Sequence, residues 1–435
     1  MSTSVRTYGG WRERRGFGIG SLSGTQTALG LGLVIIGLAV VLVLPAALPL
    51  LLVPALGIGA LTLIRIRGES VAAVTGRHVR WRRRLRNGGV DYRSSAQLDL
   101  PDALAGVELV GSDMAILRDT SRRTATAIVP VEPQGLEFAD PDVVDSWVAG
   151  WGQWLAHLGY VPDLLHVTVT VFSWPLVAAA APGLLGEILT AQQPEIGSRT
   201  LVSITLRNGD REPPTGQLRD AVASLQALES CGMHVLPPLT SEDAVQWVRA
   251  CYDPSVPMGG VQVVWPDARP TATRESWDRY QHDAFTSAVF AWDECPGEAV
   301  GPHVVAGLLG PAGYPKRVAM VFTPVPAHAA AREVDRQAEA AMFRSQYRRR
   351  LGRDETARER LDVERARQTA TEQAHGSGLV DVTVFAAASA PDDAALEQAA
   401  ADLHNRAGQA RLRLRRAYGE QASAFAATLG VGYVP

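Results

Sequence analysis

Three consecutive stretches, TATAIVPV at 124–131, DPDVVDSWVAGWGQWLAHL at 140–158 and HVTVTVF at 166–172, set the fold class of this 435-residue chain. The first and third are dense in β-branched residues, which suit a pleated surface better than a helix. The middle one opens on Asp140-Pro141, with proline in the first helical turn, where its missing N–H is no loss. A helix is predicted over Asp142–Leu158, and Trp147, Trp151, Trp154 and Leu155 recur on it at helical spacing. Such a stripe marks a core face rather than a ligand site.

Working outward, Val107–Leu117 reads as one more strand, joined to the Thr124–Val131 strand by turn chemistry at Asp119–Ser121. Ala178–Gln193 reads as a helix, Thr200–Arg207 as a strand and Leu218–Ser230 as a helix. The order ββαβαβα implies a layered α/β or α+β domain, here 96–235. A second unit, 236–435, alternates in the same way. It has a helix from Ser241 through Cys251, strands at Val261–Trp265, Ala284–Trp292 and Arg317–Thr323, and a short helix within Pro296–Leu309. A strand at Val380–Ala387, a helix at Pro391–Arg406, a short strand at Arg411–Leu414 and a final helix at Glu420–Thr428 complete it. Between them, Ala327–Tyr347 and Asp354–His375 read as two long charged helices broken at Gly352. Their Arg358/Asp362 and Arg360/Glu364 offsets suit a solvated hairpin or a docking arm. The parallel order of the two units fits a duplicated ferredoxin-like unit, although no sequence motif repeats.

Upstream the chain changes character. Residues 28–64 carry no charged side chain, too long a run for a single span of ~20 residues, and Pro45, Pro49 and Pro54 interrupt it. Two short transmembrane helices, 28–44 and 50–64, are expected. Residues 1–86 hold twelve arginines against Glu13 and Glu69, so a net charge of -3 for the whole chain leaves about -13 for 87–435. Arginines flank the hairpin on both sides. That places both termini on the cytoplasmic side of the plasma membrane, after a basic Gly-rich leader at 1–27. A cleaved signal peptide fits poorly, because the run starts late and is too long. The neck at 65–95 bears Arg65, Arg67, Arg80, Trp81, Arg82, Arg83, Arg84 and Arg86. It reads as an interfacial anchor for anionic headgroups, and the rival reading is a nucleic-acid patch. The acidic body beyond it would repel a phosphate backbone, so direct nucleic-acid binding is not expected.

Motifs for chemistry are absent from the sequence. The only lysine, Lys316, lies in Gly313-Tyr314-Pro315-Lys316-Arg317, so no GxxxxGK[ST] loop exists. No HExxH, zinc-type Cys/His spacing or GxSxG elbow occurs, and Cys231, Cys251 and Cys295 form no CxxC pair. The expectation is no cofactor, no metal and no enzyme activity. The densest polar-aromatic cluster is Glu275, Trp277, Asp278, Tyr280, His282 and Asp283. It is read as an interface, with a hydrolase built on Asp278, His282 and Asp283 as the alternative.

Several pieces in order carry a resemblance. They are Tyr8-Gly9-Gly10-Trp11, the short hairpin, Trp81-Arg82-Arg83-Arg84, Tyr252-Asp253-Pro254 and Glu275 through Asp283. They continue with Phe343-Arg344, Gly352-Arg353, Ala374 through Leu379 and Arg415 through Phe425. Together they resemble an actinobacterial family of membrane proteins from conjugation-type (type IV) secretion loci. The hairpin is similar to a PrgI-type two-helix membrane subunit, and the body is similar to the non-ATPase N-terminal domain of TrbE/CagE-type secretion ATPases. The resemblance implies an oligomeric structural subunit that docks a separately encoded ATPase and other inner-membrane subunits. Where a Leu-Pro-Leu-Gly-like run is usual in that family, this chain has Gly430 in the proline's place.

Overall fold

The computed structural model describes Gly32 and residues 65–435, except 67–68, 95–98, 136–138, 176–195, 210–211, 257–263, 295–299, 302, 327–328, 331, 333 and 335–377. The expected hairpin at 28–64 lies outside the described residues, Gly32 apart. So do the leader, the expected helix Ala178–Gln193 and nearly all of the charged pair at 327–375. Among the described residues no helix is long and apolar enough to cross a membrane.

The described residues fall into two compact units, one within Arg14–Val90 and the body Asp91–Pro435. In the first, two-residue strands β1 (Arg65–Ile66) and β2 (Glu69–Ser70) pair antiparallel and lead into helix α1 (Val71–Arg86). Arg83, Arg84 and Arg86 crowd the last turn of α1, where positive charge complements the exposed carbonyl end of the helix dipole.

The body opens with β3 (Asp91–Arg93), β4 (Val107–Val110), β5 (Ile116–Asp119) and β6 (Thr124–Pro133). Helix α2 (Pro141–Leu158), β7 (Leu164–Pro175), β8 (Ile196–Arg207), α3 (Thr215–Ser224) and β9 (Met233–Val235) follow. Next come α4 (Ser241–Tyr252), β10 (Ala272–Glu275), β11 (Tyr280–His282), β12 (Phe285–Glu294) and the single turn α5 (Ala306–Leu309). The chain finishes with β13 (Lys316–Pro324), β14 (Val380–Ala390), α6 (Asp393–Gln409), β15 (Arg413–Arg416) and α7 (Gln421–Ala427). This is the expected mixed α+β body, and its strands form one antiparallel sheet in the order β3-β10-β11-β12-β14-β13-β7-β8-β6-β5-β4. β9 pairs with β6 beside β5, and β15 pairs with β12 beside β11.

Four-strand blocks repeat within that sheet. β6 to β9 lie in space as 4-1-3-2, counted in chain order, and β12 to β15 lie as 4-1-3-2 again. Helices connect the first strand of each block to the second and the third to the fourth. The second strands, β7 and β13, pair with each other at the seam.

Both faces of the sheet are covered, which is why β6 reads as eight buried residues in succession rather than as an alternation. One face packs Val129, Val202 and Ile204 under Trp154 of α2 and Leu218 of α3. It continues with Val318, Val384 and Ala386 under Leu396 and Leu403 of α6. The other face gathers residues of both blocks, among them Ile128, Leu201, Val289, Val321 and Phe385. These lie under Trp247 and Tyr252 of α4, Phe425 of α7, and the final residues Leu429 and Val431.

Several expected elements shift, each for a local reason. Val107–Leu117 is a hairpin rather than one strand, because Gly111 turns the chain at φ 87° and a Cβ there would lie 2.6 Å from the Met114 carbonyl oxygen. Leu218–Ser230 starts earlier, at Thr215, and tightens into a 3-10 helix over Leu225–Cys231. The end of the expected strand Val261–Trp265 is the start of a 3-10 helix, Trp265–Ala268, with Pro266 in its first turn. The short strand expected at Arg411–Leu414 sits at Arg413–Arg416, because Arg411 turns at φ 56°.

The final residues cross the sheet on a row of hydroxyls. Ser203 Oγ donates to the Gly430 carbonyl, and Trp247 Nε1 donates to the Leu429 carbonyl at 2.8 Å. At Gly432 (φ 85°) an added Cβ would lie 1.9 Å from Thr126 Oγ1, whereas at Gly106 (φ 82°) it would meet Thr120 Oγ1 at an ordinary 3.5 Å. Both positions disfavour alanine on backbone grounds by ~1–2 kcal/mol. Only Gly432 adds overpacking, of order ~1–3 kcal/mol. Urea denaturation is therefore expected to show Gly432→Ala as the more destabilised of the two variants, by at least about 1 kcal/mol.

Candidate functional site

The expected interface residues fall on the β10–β11 hairpin, which alternates as strands must. Glu275, Tyr280 and His282 point inward and are buried, while Trp277, Asp278 and Asp283 stay at its rim. Glu275 Oε1 accepts from the Ala422 N–H at 3.0 Å, at the start of α7. Tyr280 donates its hydroxyl to Asp102 at 2.9 Å, and burial raises its pKa well above the usual phenol value. Trp277 stacks on Tyr418 with ring centroids 6.2 Å apart. Asp278 pairs with Arg279 at 3.3 Å and with Arg416 at 3.9 Å. Asp283 pairs with Arg249 at 2.6 Å and accepts from the Thr271 N–H at 2.6 Å.

Asp278, His282 and Asp283 therefore do not assemble. His282 belongs instead to a buried chain that sequence reasoning missed. Its Nδ1 meets the Tyr252 carbonyl, which can only accept, so Nδ1 carries the hydrogen. Nε2 then accepts from Ser287 Oγ at 2.7 Å, and Ser287 in turn accepts from Ser389 Oγ at 2.7 Å. Burial, with the charge of Arg317 nearby, lowers the His282 pKa to about 3. The imidazole is thus a neutral structural link that fastens α4 to β11, β12 and β14, and a weak base.

The second feature missed in the sequence is a pair of buried cations. Arg317 is 1% exposed; its Nη1 donates to the Cys251 carbonyl at 2.6 Å and its Nε to Thr428 Oγ1 at 3.3 Å. Its guanidinium lies 4.5 Å from the centre of the Phe425 ring. Lys316, also 1% exposed, donates to the Leu308 carbonyl at 2.6 Å and to the Gly310 carbonyl, and burial lowers its pKa to about 8. Nothing in the local sequence marks either residue as interior. Both open a strand, where cations are usually solvated.

A cavity of about 570 Å³ lies between the Tyr314–Pro315 turn, the end of β14 and α6. On its polar wall Asp402 accepts from Tyr314 at 2.8 Å and from Arg406 Nε at 2.6 Å. Among the described residues no group of His, Cys, Asp and Glu could hold a metal ion.

In the neck, Arg65 lies on β1 and Arg67 lies outside the described residues, while Arg80, Trp81, Arg82, Arg83, Arg84 and Arg86 all lie on α1. Arg82, Arg83 and Arg86 are exposed, whereas Trp81 and Arg84 are half-buried. No family model and no curated protein sequence matches the chain.

The buried imidazole makes a pH prediction. With its pKa lowered from 6.5 to about 3, His282 stays neutral in the folded body while the unfolded chain takes up a proton. Its contribution is fully present above the unfolded value and is lost as pH falls toward the folded one. The slope from one such group is about 1.4 kcal/mol per pH unit. Urea titrations between pH 6 and pH 4 are expected to show a slope shallower by about that amount in His282→Gln, whose amide can still bridge the Tyr252 carbonyl and Ser287. Parallel slopes would mean that His282 does not titrate this way.

Proposed function

We propose that the chain is a membrane-anchored structural subunit of a conjugation-type, type IV-like secretion machine, docking a separately encoded ATPase. One observation carries this reading. An uncharged run at 28–64 is closed on both sides by arginines and is followed at Val71 by a helix with arginine throughout its second half and no acidic residue. A hairpin crossing twice satisfies both basic flanks, leaving both termini on the cytoplasmic side. The acidic charge of about -13 in 87–435 gives the body a surface unsuited to nucleic acid and suited to a protein partner.

The body is read as two ferredoxin-like units produced by internal duplication. The repeated 4-1-3-2 strand order, with helices at equivalent connections, supports that reading. A broad sheet packed under helices on both faces suits a platform more than a catalyst. The hydrolase alternative has no favouring observation, because its three residues are bonded separately.

The test is fractionation. Full-length protein is expected in the carbonate-washed membrane pellet, and a 28–64 deletion is expected in the supernatant with the body folded. Mild-detergent extracts of the full chain are expected to carry a P-loop ATPase, identified by mass. Retention of the deletion variant in the pellet, or nucleotide hydrolysis by the purified chain alone, would overturn the platform reading.

A further inference from the structure

We infer that α1 meets an anionic phospholipid surface along one stripe, Val79, Arg82, Arg83 and Arg86, with Trp81 turned away from it. The inference rests on the membrane reading above and deepens it by naming which side chains meet lipid.

The four positions are spaced i, i+3, i+4 and i+7, one face of a helix. Val79 is 45% exposed and the three arginines are exposed; none of the three guanidiniums has a hydrogen bond or ion pair with any described residue. The opposite face is partly covered: Val74, Trp81 and Arg84 are half-buried and Arg77 is 8% exposed, with Leu85 at its border 48% exposed. The expected anchor at Arg80–Arg86 is thereby narrowed to one side of the helix, with Trp81 half-buried on the other.

Several arginines of the body sit beside acids: Arg249 with Asp283, Arg279 with Asp393, Arg406 with Asp402, and Arg416 with Glu397. No acidic residue occurs from Val71 to Val90. Three clustered, exposed guanidiniums repel one another, and an anionic leaflet would relieve that repulsion at about fivefold in partition per arginine. Geometry allows this. Residues 65–70 separate the uncharged run from α1 and span at most ~25 Å. The helix itself is ~24 Å long. Nucleic-acid phosphates would satisfy the same guanidiniums, but continuity with the uncharged run and the acidic charge of the body favour lipid.

The experiment uses the full-length chain reconstituted in phosphatidylcholine vesicles with and without phosphatidylglycerol. It reads hydrogen exchange of the 79–86 amides. Phosphatidylglycerol is expected to slow exchange roughly tenfold or more, reversibly with salt. Arg82→Gln/Arg83→Gln/Arg86→Gln is expected to abolish the difference, and Trp81→Phe to keep it. Equal exchange in both vesicles, or slowing that persists in the triple variant, would overturn the inference. So would slowing by duplex DNA with no lipid effect, which would give the stripe to nucleic acid. Flotation with pure phosphatidylcholine vesicles reads the hairpin separately. A chain that floats there but ignores phosphatidylglycerol refutes only the stripe. One that floats only with phosphatidylglycerol, and depends on the three arginines, refutes only the hairpin. One that floats with neither refutes both.

Discussion

The body depends on one ladder, the seam where β13 runs antiparallel to β7, from Lys316 opposite Ser173 to Phe322 opposite Val167. In each block this strand is the outermost, and alone it would present unpaired amides and carbonyls, an open template for aggregation. Pairing the two removes both edges at once and turns two small sheets into one. The consequence is a broad face that neither block can cover with its own connecting helices, since those occupy the other side. The cover is supplied by α4, which lies between the blocks in sequence, and by α7 with the final residues. Because that layer packs on Ile128 and Leu201 of the first block and on Val289 and Phe385 of the second, neither half has a core of its own on that face. The hydroxyls of Thr126, Ser203 and Thr205 lie in the same face, and the chain answers them with its own last residues: the backbone at Gly430 and Gly432 lies close enough that side chains there would collide.

The first block was largely legible from sequence because its signals do not conflict. β-branched runs, a proline-opened helix and a tryptophan stripe all point one way. Departures came where a single backbone torsion decided the outcome, as at Gly111 and Arg411, since hydrophobic period says nothing about a positive φ. The β10–β11 hairpin lacks a strand signal in the sequence for a different reason. Its inward positions are Glu275, Tyr280 and His282, so the usual apolar-inward alternation is replaced by polar groups that bond to Ala422, Asp102, Tyr252 and Ser287. A polar-inward strand looks like a surface cluster until its partners, which are distant in sequence, are known. In the neck, composition revealed the arginines but not the covered side of α1, because cations occur on several faces of that helix.

The least legible feature, the buried pair Lys316 and Arg317, follows from the pleat. Adjacent residues on a strand face opposite sides of the sheet. Arg317 enters the face shared by both blocks and bonds the carbonyl of Cys251, in the last turn of α4. Lys316 enters the other face and bonds the carbonyls of Leu308 and Gly310, at the end of α5. Terminal helical carbonyls have no intrahelical partner, and burying them unpaired is costly. Two successive cations on the seam strand thus close two helix ends on opposite sides of one sheet. An apolar residue at either position would spare the desolvation of a charge, but it would leave buried carbonyls unanswered. Thr428, accepting from Arg317 next to the end of α7, adds a third element to the same junction. The strand that joins the two blocks is therefore also the strand that anchors the layers above and below it, so the seam and the helix packing stand or fall together.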